Sequence, residues 1–143
     1  MFVFRMHGAL HNVFDTAGAA LREGRWHSAG TRVIYAAEHA SLAVLETLIH
    51  AGGRKLPPRV LTRISIPDDL LIEEVLWMDM PESRAFGDQW VQEGRSAVLR
   101  VPSIAINRME SNYIFNPRHS DFSKIIHESP LPFAFDSRFI FFG

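Results

Sequence analysis

Glu46 is the residue whose type least suits its position. At about 100° per residue it lies beside Leu42 and close to Leu45 and Ile49, on the edge of the stripe that a helix there must bury. A carboxylate at such an edge needs a cation or a task, because burying its charge unpaired is costly. Snorkelling or pairing with an arginine is the plainer account; a share in a functional site is the other. His50, one turn later, shares that edge. A second group lies in the loop Glu23-Gly24-Arg25-Trp26-His27-Ser28-Ala29-Gly30, where a guanidinium stands beside a large aromatic between two glycines. An arginine fork binds phosphate oxygens bidentately and glycine lets a ligand approach the backbone, so the loop suits a flat, anionic ligand. The alternative is a surface loop with Trp26 tucked into the core. Tyr35 offers a ring and a hydroxyl, or simply packs. Ser103 follows Val101-Pro102 at a strand end, where side chains line clefts or cap turns.

Other chemistries are excluded or disfavoured. Zero cysteines remove disulfides, thiolate nucleophiles and Cys-ligated metal sites. Seven histidines leave a metal conceivable, but His7 and His11, at i, i+4 spacing, fall in a loop-like segment with no carboxylate between them, and no metal is expected. There is no dinucleotide fingerprint, phosphate loop, nucleophile elbow or paired-His zinc helix. Fifteen Lys and Arg against sixteen Asp and Glu give a net charge of -1 and a pI near 6.6, without the basic excess that nucleic-acid binding by counterion release needs. The apolar start Met1-Phe2-Val3-Phe4 meets Arg5 too early for a signal peptide. The apolar run 33–51 carries Glu38, His39, Glu46 and His50, unlike a membrane span. A soluble, cytoplasmic protein is expected. At 143 residues, 47% hydrophobic and 22% charged, the chain has material for one domain over residues 1–143 and one principal site.

The elements that must position these residues follow from periodicity. Phe2 to Met6 alternates as a short opening strand. Residues 7–32 read as a long glycine- and alanine-rich loop with room for one helical turn, and Arg32 to Ala37 as a second strand. From Ser41, taken as the N-cap, a helix runs to the stop at Gly52-Gly53. Val60 to Ile66 alternates as a strand ended by Pro67. Leu70 to Leu76 suits a strand, although Glu73-Glu74 leaves a helix open. Pro81 to Glu93 is a helix with Gly94 after it, packing through Phe86, Trp90 and Val91. Ala97 to Val101 is a buried strand. Ser111 to Pro117 is short and mixed, Asp121 to Ile126 a helical turn or two, and the tail from Phe133 to Phe141 alternates as a strand with one aromatic face. About six strands that do not alternate with two clear helices indicate an α+β fold.

Together these residues resemble the RES domain, named for its arginine, glutamate and serine and found in toxins of bacterial toxin–antitoxin pairs. The similarity runs nearly end to end. It includes Arg5, Gly24-Arg25-Trp26 with Gly30, Val33-Ile34-Tyr35-Ala36, and Leu45-Glu46 with His50. It continues through Gly87-Asp88-Gln89-Trp90, Val101-Pro102-Ser103, Asn112, Asn116-Pro117 with His119, and Phe135-Asp136-Ser137-Arg138. Glu23 replaces the usual first glycine of the loop, His27 stands where asparagine is common, and Ala29 where proline is common.

The resemblance implies a split, mixed β core like that of ADP-ribosyltransferases, with a cleft that takes NAD as a consumed substrate. Breaking the nicotinamide–ribose bond gives an oxocarbenium-like transition state, which an adjacent carboxylate stabilises, so Glu46 is the candidate. Arg25 and Arg5 are assigned to the diphosphate, and Tyr35 to the nicotinamide or ribose face. Ser103 is assigned to the carboxamide or ribose, with Trp26, His50 and Asn112 as further NAD contacts. Asp136 and Arg138 read as a structural ion pair. Transfer of ADP-ribose to a host protein is the expected activity, with NAD hydrolysis or phosphorolysis as the alternative acceptor chemistry. A non-catalytic nucleotide- or partner-binding module is the alternative of another class. The expected partner is a helix-turn-helix antitoxin of the Xre type that blocks the cleft.

Overall fold

Strand β1 (Phe2–Gly8) sends Val3, Arg5 and His7 to one face and Phe4 and Met6 to the other. The computed structural model describes residues 1–139. In it β1 pairs along its whole length with β3 (Arg59–Ser65), from Phe2 opposite Ser65 to Gly8 opposite Arg59. With β2 (Ile34–Ala37) it pairs only at Phe4 and Ala37. The sheet is therefore split at its centre. Arg5 bridges the split, donating from Nε to the Val13 carbonyl and from Nη1 to the Tyr35 carbonyl, each at 2.8 Å.

On the far side of β2 lie β6 (Ser111–Phe115), β5 (Val98–Pro102) and β4 (Ile72–Glu74), and beyond β3 lies β7 (Ile126–His127), with β8 (Leu131–Phe133) on the same edge of β3. Among the described strands only β4 and β5 run parallel. One face buries Val3, Ile34, Ile64 and Phe115 under Phe14 and Phe122. The other carries helix α2 (Ala40–Ala51), which covers Phe4, Ala37 and Leu61 through Leu42 and Ala43, and helix α3 (Glu82–Glu93), whose Trp90 packs with Trp26, Leu99, Val101 and Ile114. A short helix α1 (Ala17–Leu21) sits in the long loop after β1. This is the expected α+β single domain.

Several expectations need correction. His39, not Ser41, occupies the N-cap of α2, with no side-chain cap bond. The segment 111–117, read as mixed, contains β6, which pairs with both β2 and β5; its polar Ser111 and Asn112 mask the alternation, Asn112 donating to Glu46 and Ser111 accepting from Arg100 Nε. Ser120–Lys124 forms a 3-10 helix that leads into β7. Among the described residues, the aromatic tail is a strand only to Phe133. Phe133 pairs with Arg59, and a longer ladder would run onto Pro58 and Pro57, which have no N–H to donate. Beyond it Phe135 packs edge-on against Phe133 and Phe139, and Arg138 forks onto Asp136 at 2.9 and 3.1 Å. Phe141 lies outside the described residues.

Candidate active site

The sheet face under α2 and α3 brings together three of the residues singled out above. Alternation puts Tyr35 and Ala37 on that face of β2, opposite Ile114 and Asn112 of β6. Leucine and alanine side chains seat α2 on the same face, which aims Glu46 at the end of β5. There Ser103, 1% exposed, turns the chain into a 3-10 helix (Ile104–Ile106). Its amide donates to the Glu110 carbonyl at 2.9 Å and its carbonyl accepts from the Arg108 amide at 2.7 Å. Ser103 Oγ donates to Glu46 Oε1 at 2.8 Å, and Asn112 Nδ2 donates to the same oxygen at 3.0 Å. Among the described residues no arginine pairs with Glu46 and no donor reaches Oε2. Two neutral donors thus orient the carboxylate without cancelling its charge, which leaves one oxygen for a ligand. Ser103 and Asn112, expected as ligand contacts, both bond to Glu46.

Tyr35 and the 24–30 loop form the second part. The loop is held from outside by α3. Ser83 Oγ donates to the Arg25 carbonyl at 2.6 Å, Arg84 Nε to the Gly24 carbonyl at 2.8 Å, and Asp88 accepts from the Ser28 amide at 2.8 Å and from Thr31 Oγ1 at 2.9 Å. Burial works against the Asp88 carboxylate, but these hydrogen bonds outweigh it and hold its pKa below the ordinary value. Gly87 lets the helix touch the loop: a Cβ there would stand 1.7 Å from the Trp26 carbonyl oxygen. A glycine in mid-helix costs stability, so Gly87 is the sequence signal that betrays this close approach. None of Ser83, Arg84 and Asp88 is recognisable as a loop clamp from spacing.

This clamp leaves the Arg25 side chain half-buried and free of hydrogen bonds and ion pairs among the described residues. The Tyr35 hydroxyl reaches His27 Nδ1 at 2.6 Å. Burial raises the phenol above its usual pKa, with the Trp26 amide pulling it back and the charge of Asp88 adding to the rise, so the hydroxyl stays protonated near neutral pH.

Trp26, expected as a ligand contact, is 4% exposed and packs edge-on against Phe86 in the core. His50 stands exposed at the end of α2 and makes no bond to Glu46. Arg5 is largely spent on structure. Burial lowers its pKa to about 10, Asp15 partly offsetting this, and both of its acceptors are backbone carbonyls rather than carboxylates. Arg59 was not foreseen. It sits at the start of β3, close enough to Arg5 for the two charges to repel, and its buried Nε has no acceptor. Apart from the charge of Asp15 near Arg5, no carboxylate among the described residues bonds to either guanidinium, which favours an anion at the split.

The histidine and acid groups have local partners. His7 Nε2 contacts Thr62 Oγ1 at 2.9 Å, and His11 pairs with Asp15 at 3.2 Å. Glu38, His39 and Glu110 cluster beside Ser111, where His39 bonds Glu110 at 2.9 Å and Glu38 accepts from the Ser111 amide at 2.7 Å. No helix of the described residues is long and apolar enough to cross a membrane.

Residues 2–136 match the RES domain. The chain is 36% identical over 137 residues to the "Prs ADP-ribosylating toxin" of Sphingobium sp. (strain YBL2), covering 87% of this chain and 84% of that one. It is 37% identical over 142 residues to "Toxin Res" of Photorhabdus laumondii, covering 92% and 90%. Among solved structures, the M. tuberculosis MbcT–MbcA toxin–antitoxin complex contains a chain that superposes with a TM-score of 0.77 at 15% identity, over 92% of this chain and 83% of that one.

Proposed function

The chain belongs to the RES-domain family, and from that premise we propose that it is a toxin of a bacterial toxin–antitoxin pair that cleaves NAD and transfers ADP-ribose to a protein of the host cell. The observation that carries this reading is the carboxylate of Glu46, held through one oxygen by Ser103 and Asn112 with the other oxygen free. When the nicotinamide–ribose bond breaks, nicotinamide leaves with the bonding electrons and positive charge develops on the ribose. A preoriented carboxylate stabilises that charge and accepts a hydrogen bond from a ribose hydroxyl. Arg25, with Arg5 and Arg59 at the split, supplies the cationic donors that a diphosphate requires. Tyr35 presents its ring to the nicotinamide side. A nucleophilic side chain of the acceptor then bonds to the ribose carbon and gives up its proton.

The name of the Sphingobium relative favours a protein acceptor, and the solved complex of MbcT with MbcA favours a cognate antitoxin as partner. That antitoxin is proposed to be of the helix-turn-helix Xre type and to cover the cleft. The test is incubation of the purified protein with NAD labelled in its adenylate half in a cell lysate. Released nicotinamide together with a labelled protein band supports transfer. Nicotinamide without a band overturns transfer in favour of hydrolysis, or of phosphorolysis if phosphate accelerates it. Intact NAD overturns the whole reading.

A further inference from the structure

His27 is 3% exposed and uses both ring nitrogens. Nε2 lies 2.9 Å from the Ala19 carbonyl oxygen and 2.8 Å from that of Arg22. Both of these groups only accept, so Nε2 must carry the hydrogen. In the neutral ring Nδ1 is then a bare acceptor, and the group facing it at 2.6 Å is the Tyr35 hydroxyl, which must donate. The Trp26 amide also acts on that hydroxyl oxygen. The hydroxyl therefore has its proton committed to His27. Gly24 makes the contact feasible, because a Cβ there would lie 2.9 Å from both the His27 ring and the Tyr35 hydroxyl. The two rings stand 5.4 Å apart at 54°.

We propose that His27 is a positioning residue for NAD turnover, holding Tyr35 through its hydroxyl so that the tyrosine ring, and not its O–H, is what meets the ligand. This rests on the functional reading above and refines it, for it removes the Tyr35 hydroxyl from any proton transfer. The same imidazole also ties the end of α1 to the loop that bears Arg25, so the two duties have to be separated by experiment.

Asparagine and glutamine separate them. The amide of asparagine occupies the place of Nδ1, whereas that of glutamine reaches the place of Nε2. H27N keeps a partner for Tyr35 and loses the two carbonyl anchors; H27Q keeps the anchors and loses Tyr35. The expected result is that H27N stays within about threefold of the parent in kcat/KM for NAD while H27Q falls roughly tenfold or more, chiefly through KM, as a loosened ligand contact does. In a Tyr35→Phe background the difference between the two should vanish. A larger loss in H27N, equal losses in both folded variants, or a difference that persists in the Tyr35→Phe background would overturn the proposal.

Nitrogen NMR of the wild-type imidazole provides an arm that needs neither turnover nor a folded variant. A protonated Nε2 with a bare Nδ1 at neutral pH is expected, and the opposite tautomer or a doubly protonated ring would overturn the lock. A wild type that releases no nicotinamide but shows the expected tautomer would contradict the functional reading while leaving the His27–Tyr35 lock in place.

Discussion

Ser103 Oγ, at the end of β5, donates to Glu46 Oε1 on α2 across 2.8 Å, joining two residues 57 positions apart. The bond fixes which carboxylate oxygen faces a ligand. A hydrogen bond to a charged group contributes about 1.5–3 kcal/mol, or roughly 10–100-fold in rate if its whole value is expressed in the transition state. Ser103→Ala should therefore lower kcat for nicotinamide release by roughly tenfold or more with little change in KM. Asn112→Ala should do the same, and the double variant should lose more than the product of the two, since the carboxylate is then unheld. Steady-state kinetics on the three variants check this.

Arg25 is the cation whose removal is expected to cost the fold least and the ligand most. Its guanidinium bonds to nothing among the described residues, while its carbonyl is held by Ser83 at 2.6 Å. Hydrogen bonds to charged groups are worth about 1.5–3 kcal/mol, so Arg25→Ala should raise KM for NAD by roughly 10–100-fold and leave the melting temperature nearly unchanged. Lysine should recover part of this, lacking the fork. Isothermal titration with a non-reactive NAD analogue would measure the binding directly.

Gly87 is where the fold should break. A Cβ 1.7 Å from the Trp26 carbonyl oxygen meets backbone that cannot step aside. Overpacking of this kind costs about 1–3 kcal/mol, and at about 2–4 °C per kcal/mol for a domain of this size Gly87→Ala should lower Tm by up to about 12 °C. Gly18→Ala is the control, since nothing stands within 4 Å of its Cβ. Thermal unfolding by circular dichroism distinguishes them.

Asp88 should give the protein an acid-sensitive clamp. Its folded-state pKa lies below the ordinary value, its hydrogen bonds from Ser28 and Thr31 overcoming the opposing effect of burial. The folded state thus binds the proton more weakly than the unfolded chain. The resulting stability is present above the ordinary carboxylate pKa of about 4 and is lost as pH falls through the folded value. Asp88→Asn should be less stable than the parent at pH 7, and the difference should shrink as the pH drops below about 4. Urea titrations across that range test the sign.

How much of this was legible in the sequence depends on what kind of signal each residue left. Glu46 stood out because a carboxylate on a buried stripe is a misfit, and its helix was clear from period alone. The partners of Glu46 were recognisable only as candidates, because Ser103 and Asn112 meet it through strand order, which no local pattern encodes. β6 is obscured by polar Ser111 and by Asn112, which serves the site, and the tail falls short of the expected strand because aromatic alternation says nothing about whether a neighbouring strand has N–H groups to offer. Trp26 was ambiguous between ligand and core until α3 was seen to close over it. Arg59 left no local signal, and His27 only a departure from the common asparagine. The importance of His27 arises from contacts to Ala19, Arg22 and Tyr35 that the loop creates, and that of Arg59 from the proximity of Arg5.

The central claim is that the free oxygen of Glu46 stabilises positive charge on the ribose of NAD. The most direct measurement is nicotinamide release by the purified protein and by Glu46→Gln, which keeps an acceptor for Ser103 and Asn112 but loses the charge. Removal of a preorganised charge-stabilising group costs about 10²–10³ in rate. The account predicts a fall of that size in kcat with an unchanged melting temperature. A Glu46→Gln protein that releases nicotinamide at the parental rate would contradict it.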